Sequence, residues 1–206
     1  MIEYTLRKSG AGIVLLIVVL LLSGCLSRSA PKVTYYSLLT MKQLGDVQAV
    51  ASLPDVKLGI GPITIPDSLK RSQVATRQHG NQYEFNEFNR WAGVLERDLT
   101  TVIGDNLGHL LGVEKIGFFP WMTYFEPSYR VIIDVIRLDG AIDGEAVLSA
   151  RWAISNTDGR EFLVGKKSDY RQQLEDASYA ALIKAESQLL AALSKEIAAE
   201  IVAQKK

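Results

Sequence analysis

The sequence predicts an α/β fold, a layered sandwich in which a mostly antiparallel sheet packs against two long helices. Eight short segments are rich in β-branched and aromatic residues, as strands are. Two long segments instead repeat apolar residues every three or four positions, which is typical of amphipathic helices. Their order, β-β-β-β-α-β-β-β-β-α, brings one sheet and two helices together in layers.

The first four strands are predicted over 33–39, 56–65, 73–78 and 83–85. The second contains glycine and proline and is stopped by Pro66, which indicates a kinked strand. The third and fourth flank a short polar turn, "HGNQ". We therefore expect them to form a hairpin, since a short turn can join two antiparallel strands.

The first helix is predicted over 87–111, where apolar residues recur at spacings of three and four. Asn86 is a suitable N-cap, and Gly112 is suitable for the end of the helix. Gly104 and Gly108 each weaken the helix by up to ~1 kcal/mol, but they allow close packing on a neighbouring element. The apolar stripe consists of Phe88, Trp91, Leu95, Leu99, Val102, Ile103, Leu107, Leu110 and Leu111.

The C-terminal half of the chain again consists of four predicted strands followed by a helix. Four strands are predicted over 113–120, 129–138, 146–156 and 161–170. The last three are separated by short turns, including "NTDG", so they should pair as an antiparallel meander. The chain then forms a helix over about 176–202, with an apolar stripe on one side and charged residues opposite.

The composition argues against a nucleic-acid-binding protein and against a domain that is stabilised by disulfides. The 206 residues carry 23 basic and 23 acidic side chains, so no basic stripe indicates nucleic-acid binding. The single cysteine has no partner for a disulfide within the chain. Stability must therefore come from packing, for which a hydrophobic content of 48% is ample.

The N-terminus has the layout of a secretory signal peptide. Arg7 and Lys8 precede ten uninterrupted aliphatic residues, 13–22, and small residues follow. A membrane-spanning helix needs roughly 20 apolar residues, so this run is short for a span. A short membrane anchor that is never removed is the alternative.

The tetrapeptide Leu22-Ser23-Gly24-Cys25 resembles the bacterial lipobox at every position. In proteins with that signal, the cysteine sulfur receives a diacylglycerol, the chain is cut before the cysteine, and the new amino group is acylated. The resemblance therefore implies that residues 1–24 are a removable signal peptide and that Cys25 carries the lipid anchor. The remaining chain would have a net charge of about −1, since Glu3, Arg7 and Lys8 leave with the signal.

The residue after the cysteine indicates the membrane to which the protein is sorted. In lipobox proteins of double-membraned bacteria, an aspartate there tends to retain the protein in the inner membrane. Here that position is Leu26, which implies the outer membrane, with the domain facing the periplasm. Residues 25–32 form the lipidated cysteine and a tether that reaches on the order of 25 Å. We expect residues 33–206 to form a single domain close to its membrane.

Motifs that would indicate catalysis or cofactor binding are weak. Residues 59–61 begin a Gly-x-Gly loop, but the third glycine and the helix of a dinucleotide site do not follow. His79 and His109 are the only histidines, and neither lies near a carboxylate cluster in the sequence, so a metal site is not indicated. The serine-nucleophile elbow Gly-x-Ser-x-Gly does not occur in the sequence.

Three carboxylates, Asp134, Asp139 and Asp143, lie close together in the sequence. The first is in a predicted strand, and the other two are in a Gly-rich turn. We therefore expect Asp139 and Asp143 to be solvated at the end of a hairpin. The sequence predicts that the protein is not an enzyme and that it holds no cofactor or metal.

A series of motifs together resembles the ABC-type transport auxiliary lipoprotein family. The motifs are "YYSL" (35–38), "VATRQHGNQYEFNEFNRWAGVLERDL" (74–99), "YRVIIDVIRLDG" (129–140), "ARW" (150–152) and "LSKEIAAEI" (193–201). Each is weak alone, and their order and spacing after a lipobox carry the resemblance. The match covers nearly all of the chain that follows Cys25.

The resemblance implies a fold related to the amino-terminal domain of TolB and the absence of catalysis. It also implies an outer-membrane protein whose partner is an envelope-bridging protein with MCE domains, which forms a tunnel for lipids. Members can assemble into homo-oligomeric rings. The alternatives are an assembly or cell-wall lipoprotein that is not coupled to a transporter, and, as a third, a lipid-modifying enzyme.

Arg77, Arg90 and Trp91 are the candidate partner-binding residues, because arginine and tryptophan are favoured at interface hot spots. All three lie in the predicted unit of a hairpin followed by a helix. The alternative is structural: Phe88 and Trp91 would be core residues of the helix, and Arg77 or Arg90 would pair with a nearby glutamate.

We expect Cys25→Ala to leave the protein unacylated, because the thiol is the attachment point of the lipid. The variant should keep its signal segment and remain in the inner membrane. Membrane fractionation, with electrophoretic mobility as the measure of processing, checks this. Normal processing and recovery of the variant in the outer membrane would show that the lipobox assignment is wrong.

Overall fold

The computed structural model describes residues 31–46, 48–78 and 80–205, and from Val33 onward the chain forms one compact unit. Within these residues there are eight strands, two α-helices and a short 3-10 helix, Asp67–Leu69. The strands are β1 (Thr34–Tyr36), β2 (Lys57–Thr64), β3 (Gln73–Gln78), β4 (Gln82–Trp91), β5 (Lys115–Phe118), β6 (Tyr129–Gly140), β7 (Glu145–Ser155) and β8 (Phe162–Gln173). The helices are α1 (Leu95–Leu111) and α2 (Tyr179–Gln204).

All eight strands join in one mixed sheet, which confirms the predicted fold class. Six strands follow the order β1-β4-β3-β6-β2-β5, and β7 and β8 continue the sheet from β6. The antiparallel pairings β3–β4, β6–β7 and β7–β8 hold most of the paired residues, and the last two form the predicted meander. Four shorter pairings, β1–β4, β2–β5, β2–β6 and β3–β6, are parallel.

Both helices pack on the same face of the sheet, and the core lies between. The strand register carries one apolar row across the sheet, from Ile60 of β2 to Val131 of β6 and Ile154 of β7. All three residues are fully buried. The α2 side chain of Glu196 accepts a hydrogen bond from Ser168, which lies on the same face of β8. The opposite face of the sheet has no helix on it among the described residues.

The chain between β1 and residue 45 is tied to both helices by polar side chains. The Leu38 N–H donates to Asp98 of α1 at 2.8 Å, and the Met41 N–H donates to the buried Asn106 of α1 at 2.8 Å. The Leu39 N–H donates to Ser187 of α2 at 3.0 Å. Because these backbone groups are satisfied by helix side chains, the segment that follows β1 is held in place without a strand partner of its own.

The predicted start of the first helix is wrong. The helix begins at Leu95 rather than at residue 87, and residues 82–91 form the long strand β4. Asn86 does accept a backbone N–H, from Phe88 at 2.8 Å, but it does so in a wide bulge between two stretches of β3–β4 pairing. The segment stays extended because its last residues, 89–91, pair with β1, which lies more than fifty residues earlier in the chain.

The glycines of the first helix behave as predicted. Gly112 ends α1 in the left-handed conformation, with φ of 59°, and its N–H donates to the Gly108 carbonyl. Gly104 and Gly108 face β5, where a methyl group on either would meet the side chains of Phe118 or Ile116. The helix therefore approaches the sheet more closely than an alanine at these positions would allow.

One acidic side chain lies in the core beneath the sheet. Glu186 of α2 is 1% exposed, and its Oε2 atom has no hydrogen-bond partner among the described residues. Burial, with a smaller contribution from the charge of Asp139, raises the pKa of Glu186 from its ordinary 4.5 to about 8. The carboxyl is therefore protonated in the folded protein at neutral pH, because an unpaired charge there would be costly.

We expect the stability of the domain to fall as pH rises from about 5 to 8. In that window the folded state holds a proton on Glu186 that the unfolded state has released, so each step upward favours unfolding by linkage. Glu186→Gln should flatten this dependence and raise stability by a few kcal/mol at pH 8. Denaturant titrations at several pH values measure both effects.

The matched control is Glu200→Gln, which changes a partly exposed residue of the same helix. It should leave the pH dependence in place. An unchanged slope in Glu186→Gln would show that another group sets the dependence.

Candidate partner-binding surface

The face of the sheet opposite the helices, which we call the open face, is polar and charged along β6, β7 and β8. Over β2 and β5 it is covered by Trp121, Phe125 and Pro127, which lie against Gly59 and Gly117. Along β6, β7 and β8, the residues that alternate with the core positions include Asp134, Arg151 and Lys167, and these three share one row across the strands. The Arg151 Nη1 atom lies 3.5 Å from Asp134 Oδ2, and the Lys167 Nζ atom lies 2.9 Å from Asp169 Oδ2. These exposed pairs contribute little to stability, but they leave a face suited to polar recognition.

Arg77 lies on the open face and is held by a buried carboxylate. Its Nε atom donates to Asp139 Oδ1 at 3.1 Å and its Nη2 atom donates to Oδ2 at 2.9 Å, a bidentate pair. The guanidinium also stacks over the Tyr83 ring at 4.3 Å and donates to the Tyr83 hydroxyl at 2.6 Å. The hydrogen bond to Asp139 raises the pKa of Arg77 above its ordinary value.

Asp139 itself is fully buried, so the expectation of a solvated hairpin end is wrong for this residue. It accepts a third arginine bond, from Arg137 Nε at 2.8 Å, and a 3.2 Å bond from the Tyr83 hydroxyl. The burial arises where β3 meets the end of β6, at the single register pair Thr76–Gly140. A buried carboxylate is tolerated there because two arginines and a phenol satisfy it.

Arg90 also lies near the open face, at the other end of the β3–β4 pairing. It pairs with Glu87 three residues before it, as the structural alternative proposed, and is opposite Gln73 in the register. Gln73 donates to Glu87 at 2.8 Å, and that bond, followed by the one from Arg90, lowers the pKa of Glu87. The Arg90 side chain is about a third exposed.

Trp91 faces the opposite way. It is 6% exposed and belongs to the core between the sheet and the helices. The structure thus places Arg77 and Arg90 on the side open to a partner and Trp91 behind the strand that carries Arg90. The partner-binding role of the three residues remains a prediction.

Two members of the Asp139 cluster, Arg137 and Tyr83, had no signal in the sequence. Arg137 lies in a strand whose apolar and polar residues alternate, as they do in many strands, and Tyr83 follows a turn. The one available signal was the Asp-Gly pair at 139–140, and it indicated a turn. Only the meeting of β3 and β6, more than fifty residues apart, brings the cluster together.

Among the described residues there is no group of three or more histidine, cysteine, aspartate or glutamate side chains placed to hold a metal ion. His109 lies on α1, and His79 is outside the described residues. None of the helices in the described part of the chain is both long and apolar enough to span a membrane. Cys25 and the segment before it lie outside the described residues, so the lipid anchor remains a prediction.

Comparison with protein families gives one match. The model of the family described as the ABC-type transport auxiliary lipoprotein component matches residues 36–198. That range contains β2 to β8, α1 and most of α2, and it includes the whole Asp139 cluster. A search of curated proteins found no match.

Solved structures share the fold. A crystal structure of an uncharacterized protein is 21% identical in sequence, with a TM-score of 0.67, and the match covers 82% of this chain and 99% of that one. A protein from Xanthomonas campestris is 13% identical, with a TM-score of 0.62, and the match covers 80% and 92% of the two chains. At these identities the likeness concerns the fold alone.

We expect Asp139→Asn to destabilise the domain, because it removes the charge that Arg77 and Arg137 share. Breaking a buried pair by changing one partner costs roughly 3–5 kcal/mol. The loss here should lie near the lower end, since both arginines are partly exposed and can be hydrated. Chemical denaturation measures it.

Asp169→Asn serves as the control, since Asp169 pairs with Lys167 on the exposed part of the same sheet. It should change stability little. Equal effects of the two substitutions would show that the buried cluster does not hold β3 to β6.

Proposed function

Since this chain belongs to the family of ABC-type transport auxiliary lipoprotein components, we propose that it is a non-catalytic outer-membrane part of an MCE-type lipid transport system that maintains the cell envelope. The observation that carries the proposal is the family match over 36–198, which spans almost the whole described domain. The family is one of auxiliary transport components, and it is not an enzyme family.

The anchor follows from the sequence. Cleavage before Cys25 and acylation of that residue would attach residues 25–206 to a membrane through several acyl chains. One chain of myristoyl length binds a membrane only marginally, whereas two or more hold a protein stably. Leu26 favours the outer membrane, and the short tether would keep the domain at its periplasmic face.

The proposed partner is an envelope-bridging protein with MCE domains, and the open face is the surface we propose for it. Arg77 is pre-organised by Asp139 and Tyr83, so it would lose little conformational freedom on binding. Arg90 is exposed enough to exchange Glu87 for an acidic group of the partner. Trp91 would act indirectly, by fixing the end of β4 in the core.

A homo-oligomeric ring would suit this role, because several copies around one axis could surround the end of a lipid tunnel. A closed ring requires a heterologous contact, in which two different surfaces of each copy meet. The edge strands β1, β5 and β8 of the open sheet offer unpaired backbone groups for such contacts.

Co-purification tests the proposed partner. The acylated full-length protein, extracted from membranes in mild detergent, should bring down an MCE-domain protein from the same cells. A clean preparation of intact protein without such a partner would contradict the proposal. Recovery of cell-wall or assembly proteins instead would favour the lipoprotein that is not coupled to a transporter.

Arg90→Glu should reduce this co-purification several-fold, because it reverses a charge on the proposed contact surface while leaving the core untouched. Arg160→Glu is the matched control, since Arg160 is 87% exposed in the β7–β8 turn, away from β4. Equal recovery of the partner with both variants would place the contact elsewhere.

A further inference from the structure

A groove at the edge of the helical layer is lined by apolar side chains that no other described element covers. It has a volume of ≈ 620 Å³ and runs between β2, the end of β5 and the first turns of α1. Its apolar lining consists of Ile60, Pro62, Ile63, Val94, Phe118 and Phe119. The volume is within the range of sites that enclose small molecules.

The walls of the groove are shaped by the backbone. At Gly61 the chain has φ of 109°, and a side chain there would meet Phe119, so glycine allows β2 and Phe119 to lie in contact. The Phe119 N–H donates to the Ile60 carbonyl at 2.9 Å. The Phe118 ring lies over Gly104 of α1. These contacts hold the groove in shape without a ligand.

The rim of the groove exposes large apolar side chains to solvent. Val94 is 62% exposed and Phe119 is 52% exposed. Phe119 contacts Trp121, with 5.4 Å between the ring centroids. Contiguous exposed apolar surface of this kind marks a binding or membrane-contact site.

The rim carries charges of both signs, since Glu96 and Arg97 both line the groove and the nearby Lys70 is paired with Asp67. Arg97 lines the groove and forms no ion pair with any described residue. A second, smaller depression of ≈ 260 Å³ shares Val94 and Glu96 with the groove and is lined by Lys70 and Arg71. An apolar groove with cations beside its mouth is complementary to a molecule that has an acyl chain and an anionic head.

The groove lies beside the point where the chain enters the domain. The Leu38 N–H is bonded to Asp98, which neighbours Arg97 at the start of α1. Leu38 is only thirteen residues after Cys25 in the sequence, so a lipid on Cys25 can be at most about 45 Å away along the chain. A membrane that holds the anchor would therefore lie within about 45 Å of Leu38.

From these observations we propose that the groove binds one acyl chain of an anionic phospholipid, with the phosphate of the lipid beside Arg97. The proposal deepens the proposed function, on which it partly rests, by giving this domain its own contact with lipid. Trp121, which contacts Phe119, and Arg97 at the rim are residue types that suit the interface between a bilayer and water.

Photocrosslinking tests the proposal on the acylated full-length protein. The photoreactive residue p-benzoylphenylalanine replaces Phe119 or Val94 in the groove, or Phe162 as control, which is an exposed phenylalanine at the start of β8. The proteins are inserted into vesicles of phosphatidylethanolamine and phosphatidylglycerol that contain radiolabelled phosphatidylglycerol. Label should be recovered on the two groove variants several-fold above the control.

Equal labelling of all three positions would overturn the proposal, since it would show general adsorption to the vesicle. Absence of label at both groove positions, with unchanged thermal unfolding, would also overturn it. Crosslinks to a co-purified protein instead of lipid would show that the groove binds a polypeptide.

Arg97→Gln tests the head-group contact. In the Phe119 photoreactive protein it should lower labelling by phosphatidylglycerol relative to phosphatidylethanolamine by about fivefold, the effect of one basic residue near an anionic surface. An unchanged ratio would show that Arg97 does not recognise the net negative charge of the head group. Recovery of the MCE-domain partner is measured on the same variants. If the partner is recovered while lipid labelling fails, the groove proposal alone is wrong.

Discussion

The two helices cover only one face of the sheet, and the rest of the structure is arranged around that fact. The apolar row through Ile60, Val131 and Ile154 needs both helices to exclude water, and α1 approaches closely because Gly104 and Gly108 face β5. The helices in turn bind the segment that follows β1 through Asn106 and Ser187. Because the helices cover one face of the sheet, they also determine where the segment that follows β1 lies.

Along β3, β6, β7 and β8 the face without helices satisfies its polar groups by charge, whereas Trp121, Phe125 and Pro127 pack over β2 and β5. Along β7 and β8 the polar groups form exposed ion pairs, and where β3 meets the end of β6 they form a buried network. There Asp139 is buried, and Arg77, Arg137 and Tyr83 converge on it. The same bonds that make this carboxylate tolerable also fix Arg77 in one orientation, which is why a residue of the internal network can also belong to a contact surface.

The two proposed contacts use different parts of the domain. The open face is polar, and its charges are largely paired, which suits a protein partner that can exchange one ion pair for another. The groove has apolar walls, and Arg97 at its rim forms no ion pair with a described residue, which suits an amphiphile. Because α1 begins beside the groove and follows β4, which carries Arg90, one continuous segment, 90–97, links the two surfaces.

The sequence alone determined the number, type and order of the elements, because period, turn residues and terminating glycines such as Gly112 are local properties. It also identified the family through the order of its motifs. It could not locate the start of α1, since Phe88, Trp91 and Leu95 have helical spacing and only pairing with the distant β1 keeps 89–91 extended. Nor could it show that Asp139 is buried or that the groove exists. Both arise where segments far apart in the chain meet, and the free energy of those contacts depends on neighbours that only the tertiary structure supplies.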